Sequence, residues 1–347
     1  MKPSQIHTTA RDLPSEFDVN IARSCVVNGI ARCVPGDVFT TLRRRFEIPF
    51  PMDSAFGHSA AINSSQPRPN KALGPWLYEV HLATYHQPQL LCAIATNGII
   101  PPWSNPGARR GVRPLPDNYG GRRLLADYYK GRCLVATLAT LQRDPGFHSS
   151  SFALVAKKDI PLHIDGRIIH YLSAPPGGSN NSDASPDATW DPFDSIAQRV
   201  RDLRRRYPVY AIYAMVADIV DAFHHVPVHA DHASAFGGRM PRSDHGIVSG
   251  MAVFGWTSSP GFFAVFRKAV RHYHRTGASS VHSYLEPFWI FQWVDDIVLI
   301  EVDIGDRLQK AEQRLGDGVK LVFGSAGWHE GKFTTWSRRF HAVGYPQ

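Results

Sequence analysis

Three aspartates stand where carboxylates are uncommon. Asp218 closes the apolar run YAIYAMVA, and Asp295-Asp296 lies between FWIFQWV and IVLI. Acids in such company are usually paired or bound to a cation. Two adjacent carboxylates repel, and a divalent metal relieves that repulsion. The chemistry this suggests is phosphoryl transfer, in which carboxylates hold two Mg²⁺ ions roughly 3.5–4 Å apart, one for the attacking and one for the leaving oxygen. Mg²⁺ takes few carboxylates and completes its shell with substrate phosphates. A lone Val-Asp-Asp is more often a solvated turn. The surroundings have to decide.

The acids need strands to hold them. VYAIYAMVADIV is rich in β-branched and aromatic residues and reads as a strand. FWIFQWVDDIVLIEV reads as a hairpin with Asp-Asp at its tip. Between them SSPGFFAVFRKAVRHYHRTG reads as a helix, with Ser at its start, Pro near it and Gly at its end. DRLQKAEQRL predicts a further helix and GVKLVF a further strand. Upstream, SFALVAKKD and GRIIHYLS predict two strands joined by a turn at Asp165-Gly166. DPFDSIAQRVRDLRRRY predicts a helix with Phe193, Ile196, Val200 and Leu203 on one face and Asp191 as its N-cap. Residues 74–100 predict helix broken near Pro88, and 101–121 a long loop. The order gives an α+β architecture, an antiparallel sheet with helices on one face.

Composition sets the bounds. The chain has 347 residues, 43% of them hydrophobic and 20% charged, an ordinary globular balance. The longest apolar runs are too short for a membrane span, and the N-terminus lacks a secretory signal. The expectation is an intracellular protein, cytoplasmic or nuclear, with no membrane partner. A net charge of +8 favours a polyanionic partner, nucleic acid first. Cys25, Cys33, Cys92 and Cys133 form no CxxC pair and read as reduced thiols. His224, His225, His229 and His232 cluster without H-E-x-x-H spacing and read as structural. No P-loop and no G-x-S-x-G occurs.

Set in order, these segments resemble the reverse transcriptases. DIVDAFHHVPV (Asp218–Val228) resembles motif A, FGWTSSPGFF (Phe254–Phe263) motif B, and QWVDD (Gln292–Asp296) motif C. Lys332 in GKFTTW resembles the lysine of motif D, and FHAVGY (Phe340–Tyr345) the start of motif E. KKDIPLHIDGRIIHYLSAPPGGSNN resembles the fingers pattern of that family. The likeness covers about residues 150–347, and the wording of the fingers and of motif A is closest to retrotransposons of the tyrosine-recombinase (DIRS-like) type.

The resemblance implies a right-hand polymerase with fingers over about 74–206 and, over 207–347, a palm whose antiparallel sheet is backed by helices. Residues 1–73 stay unassigned. It implies template-directed DNA synthesis with two Mg²⁺ ions (Mn²⁺ as a substitute), deoxynucleoside triphosphates and an RNA or DNA template-primer. Asp218, Asp295 and Asp296 would form the metal cluster, with the carbonyl of Ile219 as a further ligand. Phe223 would exclude a 2′-hydroxyl, or else be a core aromatic. Arg167 would stack on the incoming nucleotide, a role suited to a planar guanidinium. Lys157 or Lys158 would meet its terminal phosphate. Gly255, Ser259 and Pro260 would shape the floor of its site. Lys332 would lie near the triphosphate, although a surface lysine is the plainer reading.

Three positions depart from the family pattern. Trp293 replaces a Tyr or Phe, Tyr171 stands where Asp is common, and Phe254 precedes Gly255. The sequence also predicts no thumb after motif E. Two other readings therefore stand beside the polymerase. One is a catalytically silent nucleic-acid-binding remnant, and the other a metal-binding protein of another kind.

Overall fold

The structure, a computed structural model, describes residues 70, 72–101, 124, 127, 132–144, 146–157, 160–161, 166–172, 185–240, 244–282, 284–342 and 345–346. The readings made for residues 1–69, Lys158, the turn at Asp165, and all of the 102–121 and PPGGSNN segments lie outside them. In chain order the elements used below begin with helices α1 (Pro75–His81) and α2 (Pro88–Asn97). Strands β1 (Cys133–Thr137), β2 (Ser149–Ala156) and β3 (Gly166–Tyr171) follow, then α3 (Asp194–Arg206) and β4 (Ile212–Asp218). Next come β5 (Gly237–Arg239), β6 (His245–Ser249), α4 (Ser259–Arg275), β7 (Ala278–Val281) and β8 (Tyr284–Pro287). The last are β9 (Phe291–Trp293), β10 (Asp296–Val302) and α5 (Arg307–Phe323). The class is α+β, and among the described residues no helix is long and apolar enough to cross a membrane.

The chain forms two compact units, each assembled from separated stretches. Besides its N-terminal residues, the first comprises 97–184 and 226–259, and the second 70–96, 185–225 and 260–347. The first holds a five-stranded mixed sheet ordered β1-β6-β5-β2-β3. β2 and β3 pair antiparallel from Ser151↔Tyr171 to Ala156↔Gly166, as two strands joined by a short turn would. Beside them the loop before α4 is pinned to β3, because the His170 N–H donates to the Phe254 carbonyl at 2.7 Å. Gly255 follows at φ +102°, and a Cβ there would lie 2.0 Å from the His170 carbonyl oxygen. Only glycine permits both the left-handed backbone and that approach.

The second unit is built on a three-stranded antiparallel sheet ordered β4-β10-β9. Side chains alternate across its two faces. Ala214, Phe291, Val298 and Ile300 share one face and form a core with Ile196 and Leu203 of α3. Gln292 points the opposite way and donates its side-chain amide to the Arg267 carbonyl of α4 at 3.2 Å. Helices thus cover both faces of the sheet rather than one.

Two local expectations are corrected. GVKLVF is the end of α5, not a strand. Its Val-x-Leu-Val run suggests β structure, but Leu308, Ala311, Leu315, Val319 and Val322, all buried, recur at helical spacing across the whole segment. Asp191 does not cap α3, whose N-cap is Phe193 with no side-chain bond. Its carboxylate instead pairs with Arg271 and accepts the Gln292 N–H.

The end of β10 remote from its aspartate is anchored by buried charge. Arg307 and Glu301 are fully buried and pair at 2.6 Å. Arg199 of α3 also reaches Glu301, at 3.3 Å. Nearby His274 is wholly enclosed, and burial first, then Arg314, pushes its imidazole down to about 3. Unfolded histidine takes a proton near pH 6.5, whereas folded His274 stays neutral until about pH 3. Its stabilising share is full above pH 6.5 and declines below it by about 1.4 kcal/mol per pH unit, down to the folded value. Urea unfolding of wild type and His274→Leu at pH 7, 6, 5 and 4 should show a shallower decline in the variant, by about one proton. Equal slopes would remove His274 from the acid sensitivity.

Candidate metal centre

β10 pairs with β4 on one side and β9 on the other, so that Asp296 faces Asp218 and Trp293 alike. Residues paired directly across strands share a face. Trp293, Asp296 and Asp218 therefore stand in one row across the sheet. Asp295 occupies the two-residue turn between β9 and β10. Its carbonyl accepts the Ile219 N–H at 3.2 Å, which carries the ladder one step past Asp218 and fixes the turn.

The free edge of β4 is lined by the segment after α5. Phe333 bridges Ala217 and Ser337 bridges Ala214. The Thr334 N–H donates to the Val216 carbonyl, and its hydroxyl accepts the Val216 N–H, both at 2.9 Å. This pairing delivers Lys332 to the end of the row, where its Nζ lies 2.7 Å from Asp218 Oδ2. The hydrogen bond to Asp218 is the largest influence and raises the lysine above its ordinary range; burial opposes it, and the negative charges of Asp218, Asp295 and Asp221 add to the rise. The plainer reading of Lys332 as a surface lysine thus misses its partner, which is 114 residues away in sequence.

One oxygen from each of Asp218, Asp295 and Asp296 falls within 4.8 Å of the others, the only such cluster of potential ligands among the described residues. Asp218 Oδ1 is buried and has no hydrogen-bond partner. A buried carboxylate oxygen left without a donor is costly unless a cation meets it. An all-oxygen donor set suits Mg²⁺ or Mn²⁺ rather than a softer metal. The residues present fit such an ion.

No known protein family and no curated protein matches this chain. Among solved structures, a foamy viral protease-reverse transcriptase in complex with double-stranded DNA matches at a TM-score of 0.42 and 13% identity. The match covers 66% of this chain and 33% of that one, so this chain spans about a third of that neighbour's length. A likeness at that level decides nothing about the chemistry, which rests on the carboxylates.

The other site residues divide between the two units. Phe223 belongs to the second, is nearly buried, and packs edge-on against Phe263 at 5.6 Å. The Ile219 side chain is also buried there. Pro260 lies in the first turn of α4. In the first unit, Arg167 is exposed on β3, with its guanidinium 5.9 Å from the Phe254 ring centre. Lys157 follows β2. Ser259 is fully buried and donates its hydroxyl to the Val253 carbonyl at 2.7 Å. The four clustered histidines form no metal-ligand group among the described residues.

The turn that carries Asp295 is strained. Val294 has φ +50°. A β-branched residue in that region is a true outlier, and such strain costs of order 1–3 kcal/mol. Val294→Gly relieves it and adds about 0.5–1 kcal/mol of backbone entropy cost. The net expectation is a gain of about 1 kcal/mol in urea unfolding, and a clear loss would contradict the strain.

Proposed function

We propose that this chain carries the catalytic palm of a reverse-transcriptase-type DNA polymerase. The observation that carries the reading is the row Trp293, Asp296, Asp218, Lys332 across one antiparallel sheet, with Asp295 in the adjoining turn. It is supported by motifs A to E, which follow one another in the family's order along the sequence. The reaction would join a primer 3′-hydroxyl to the α-phosphate of a deoxynucleotide and release pyrophosphate.

Asp218 and Asp295 would hold the metal, with Asp296 and the Ile219 carbonyl as supporting oxygens. When bound, the ions supply charge stabilisation to the attacking and leaving oxygens. The aspartates are held in register by the β4-β10 ladder, so positioning needs no further ordering of the sheet. Lys332 neutralises Asp218 and places an ammonium beside the cluster. Phe223 would gate the sugar, while Arg167 with Lys157 or Lys158 would take the nucleotide's base and phosphates. Gly255, Ser259 and Pro260 would form the floor.

The test is primer extension on poly(rA)/oligo(dT) with Mg²⁺, with EDTA as control. Incorporation that EDTA abolishes is the expected result. A folded chain that binds the duplex in a salt-dependent way without incorporation would select the silent nucleic-acid-binding remnant. Metal binding without nucleic-acid affinity would select the metal-binding protein of another kind.

A further inference from the structure

β9 is an edge strand of the sheet that carries the metal centre, and among the described residues no strand pairs with its outer side. It meets β10 through only Phe291, Gln292 and Trp293. Asp295 follows Gln292 by three positions, in a turn that also holds Val294 at φ +50°. The outer side of an edge strand presents backbone N–H and C=O groups that no ladder satisfies. Whatever meets them bears on where the turn sits.

Three arginines of α4 line this side. Arg267, Arg271 and Arg275 recur every fourth residue and so share one face of the helix. Arg275 donates to the Ile290 carbonyl at 3.2 Å, and Arg267 to the Gln292 carbonyl at 3.1 Å. Arg271 donates its Nε to the side-chain oxygen of Gln292 at 3.3 Å, and the Gln292 amide donates back to the Arg267 carbonyl at 3.2 Å. The backbone N–H of Gln292 goes to Asp191 Oδ2 at 2.9 Å, and the same oxygen pairs with Arg271. Every polar group of Gln292 thus has a partner, and the residue is almost wholly buried. The opposite edge of the sheet is set by backbone pairing instead, where residues 333–337 line β4 and deliver Lys332.

We propose that Asp191 and Arg271 are positioning residues for the metal centre: through Gln292 they fix β9, and so hold Asp295 and Asp296 at the distance from Asp218 that a divalent cation requires. Neither belongs to the oxygen cluster itself. A buried guanidinium is costly to place, yet Arg267 is fully buried and gives its donors to two backbone carbonyls, those of Gln292 and Thr189. Apolar side chains would seal the same face more cheaply. They would not bind a carbonyl or fix the place of a strand along the helix. Partners that orient metal ligands from outside typically carry about ten- to a hundredfold in metal affinity.

The inference rests on the polymerase reading. The probe is Mn²⁺ alone, titrated into the full chain and followed by electron paramagnetic resonance. Asp191→Ala should weaken Mn²⁺ binding by about tenfold or more. Asp191→Asn keeps one oxygen for both donors and should stay within about threefold of wild type, because geometry rather than charge is what Asp191 supplies. On a primer-template the incorporation rate of Asp191→Ala should fall and then recover as Mn²⁺ is raised, a dependence that a merely loosened fold would not show. Should Asp191→Ala fail to fold, Arg271→Met asks the same question by removing the cation that orients the carboxylate, and a loss of about threefold or more is expected. Wild-type Mn²⁺ affinity in a folded Asp191→Ala or Arg271→Met protein would overturn the positioning role and leave the polymerase reading intact. A wild type that binds Mn²⁺ but incorporates nothing would overturn the polymerase reading, while the affinity comparison still decides the positioning role. A folded wild type with no affinity for Mn²⁺ would overturn both.

Discussion

Asp218→Asn is expected to abolish Mn²⁺ binding and to lower nucleotide incorporation by about a thousandfold or more. The substitution keeps the shape of the side chain and removes its charge. Asp218 Oδ1 is the buried oxygen without a hydrogen-bond partner, and Oδ2 is the acceptor for Lys332. Asparagine offers a cation no negative charge at either position and reduces the pairing with Lys332 to a neutral acceptor. If the aspartates hold the metal as proposed, the loss of this ligand removes several kcal/mol of charge stabilisation in the transition state. Folding should be little affected, because one of three mutually repelling acids is neutralised. Mn²⁺ binding followed by electron paramagnetic resonance, with primer extension on the same samples, checks both halves. Retention of both in Asp218→Asn would remove the metal centre from this cluster.

Arg307→Met is expected to cost about 3–5 kcal/mol of stability. The guanidinium makes four hydrogen bonds and a further ion contact. Nε and Nη2 meet Glu301 at 2.8 and 2.6 Å, and Nη1 serves Ser279 at 2.9 Å and the Glu286 carbonyl at 2.8 Å. Nη2 also serves the Pro287 carbonyl at 2.8 Å. Methionine fills the volume but leaves Glu301 with only Arg199 at 3.3 Å and the Trp289 N–H at 3.0 Å. Lysine should recover less than half of the loss, since one ammonium cannot reach these divergent acceptors. Urea unfolding at pH 7 measures this, and a loss below about 1 kcal/mol would show that the network contributes little. The consequence for the site is indirect. Glu301 and Asp296 lie at opposite ends of β10, so the buried charges hold the strand that carries the acid.

Much of the scaffold was legible because its signals are local. The β-branched and aromatic content of VYAIYAMVAD, the hairpin around Asp295-Asp296 and the Ser-Pro start of α4 each need only a few neighbouring residues to be read. GVKLVF misled because its four apolar residues suit either period, and the deciding helical spacing begins at Leu308. Asp191 misled for another reason. A turn aspartate before a helix is a good cap, but Arg271 and the Gln292 N–H offered it charged and backbone donors together.

By itself the sequence determined the α+β class, the strand that bears Asp218 and the hairpin that bears Asp295 and Asp296, and the suspicion that these acids belong together. The tertiary structure decided that their oxygens lie within 4.8 Å of one another, that Lys332 answers Asp218, and that Asp191 holds the outer edge of the hairpin. The physical reason is separation along the chain. Strand pairing and the lining of a sheet edge join residues about a hundred positions apart. No local propensity records which distant side chain will arrive, or which buried oxygen will be left for a cation.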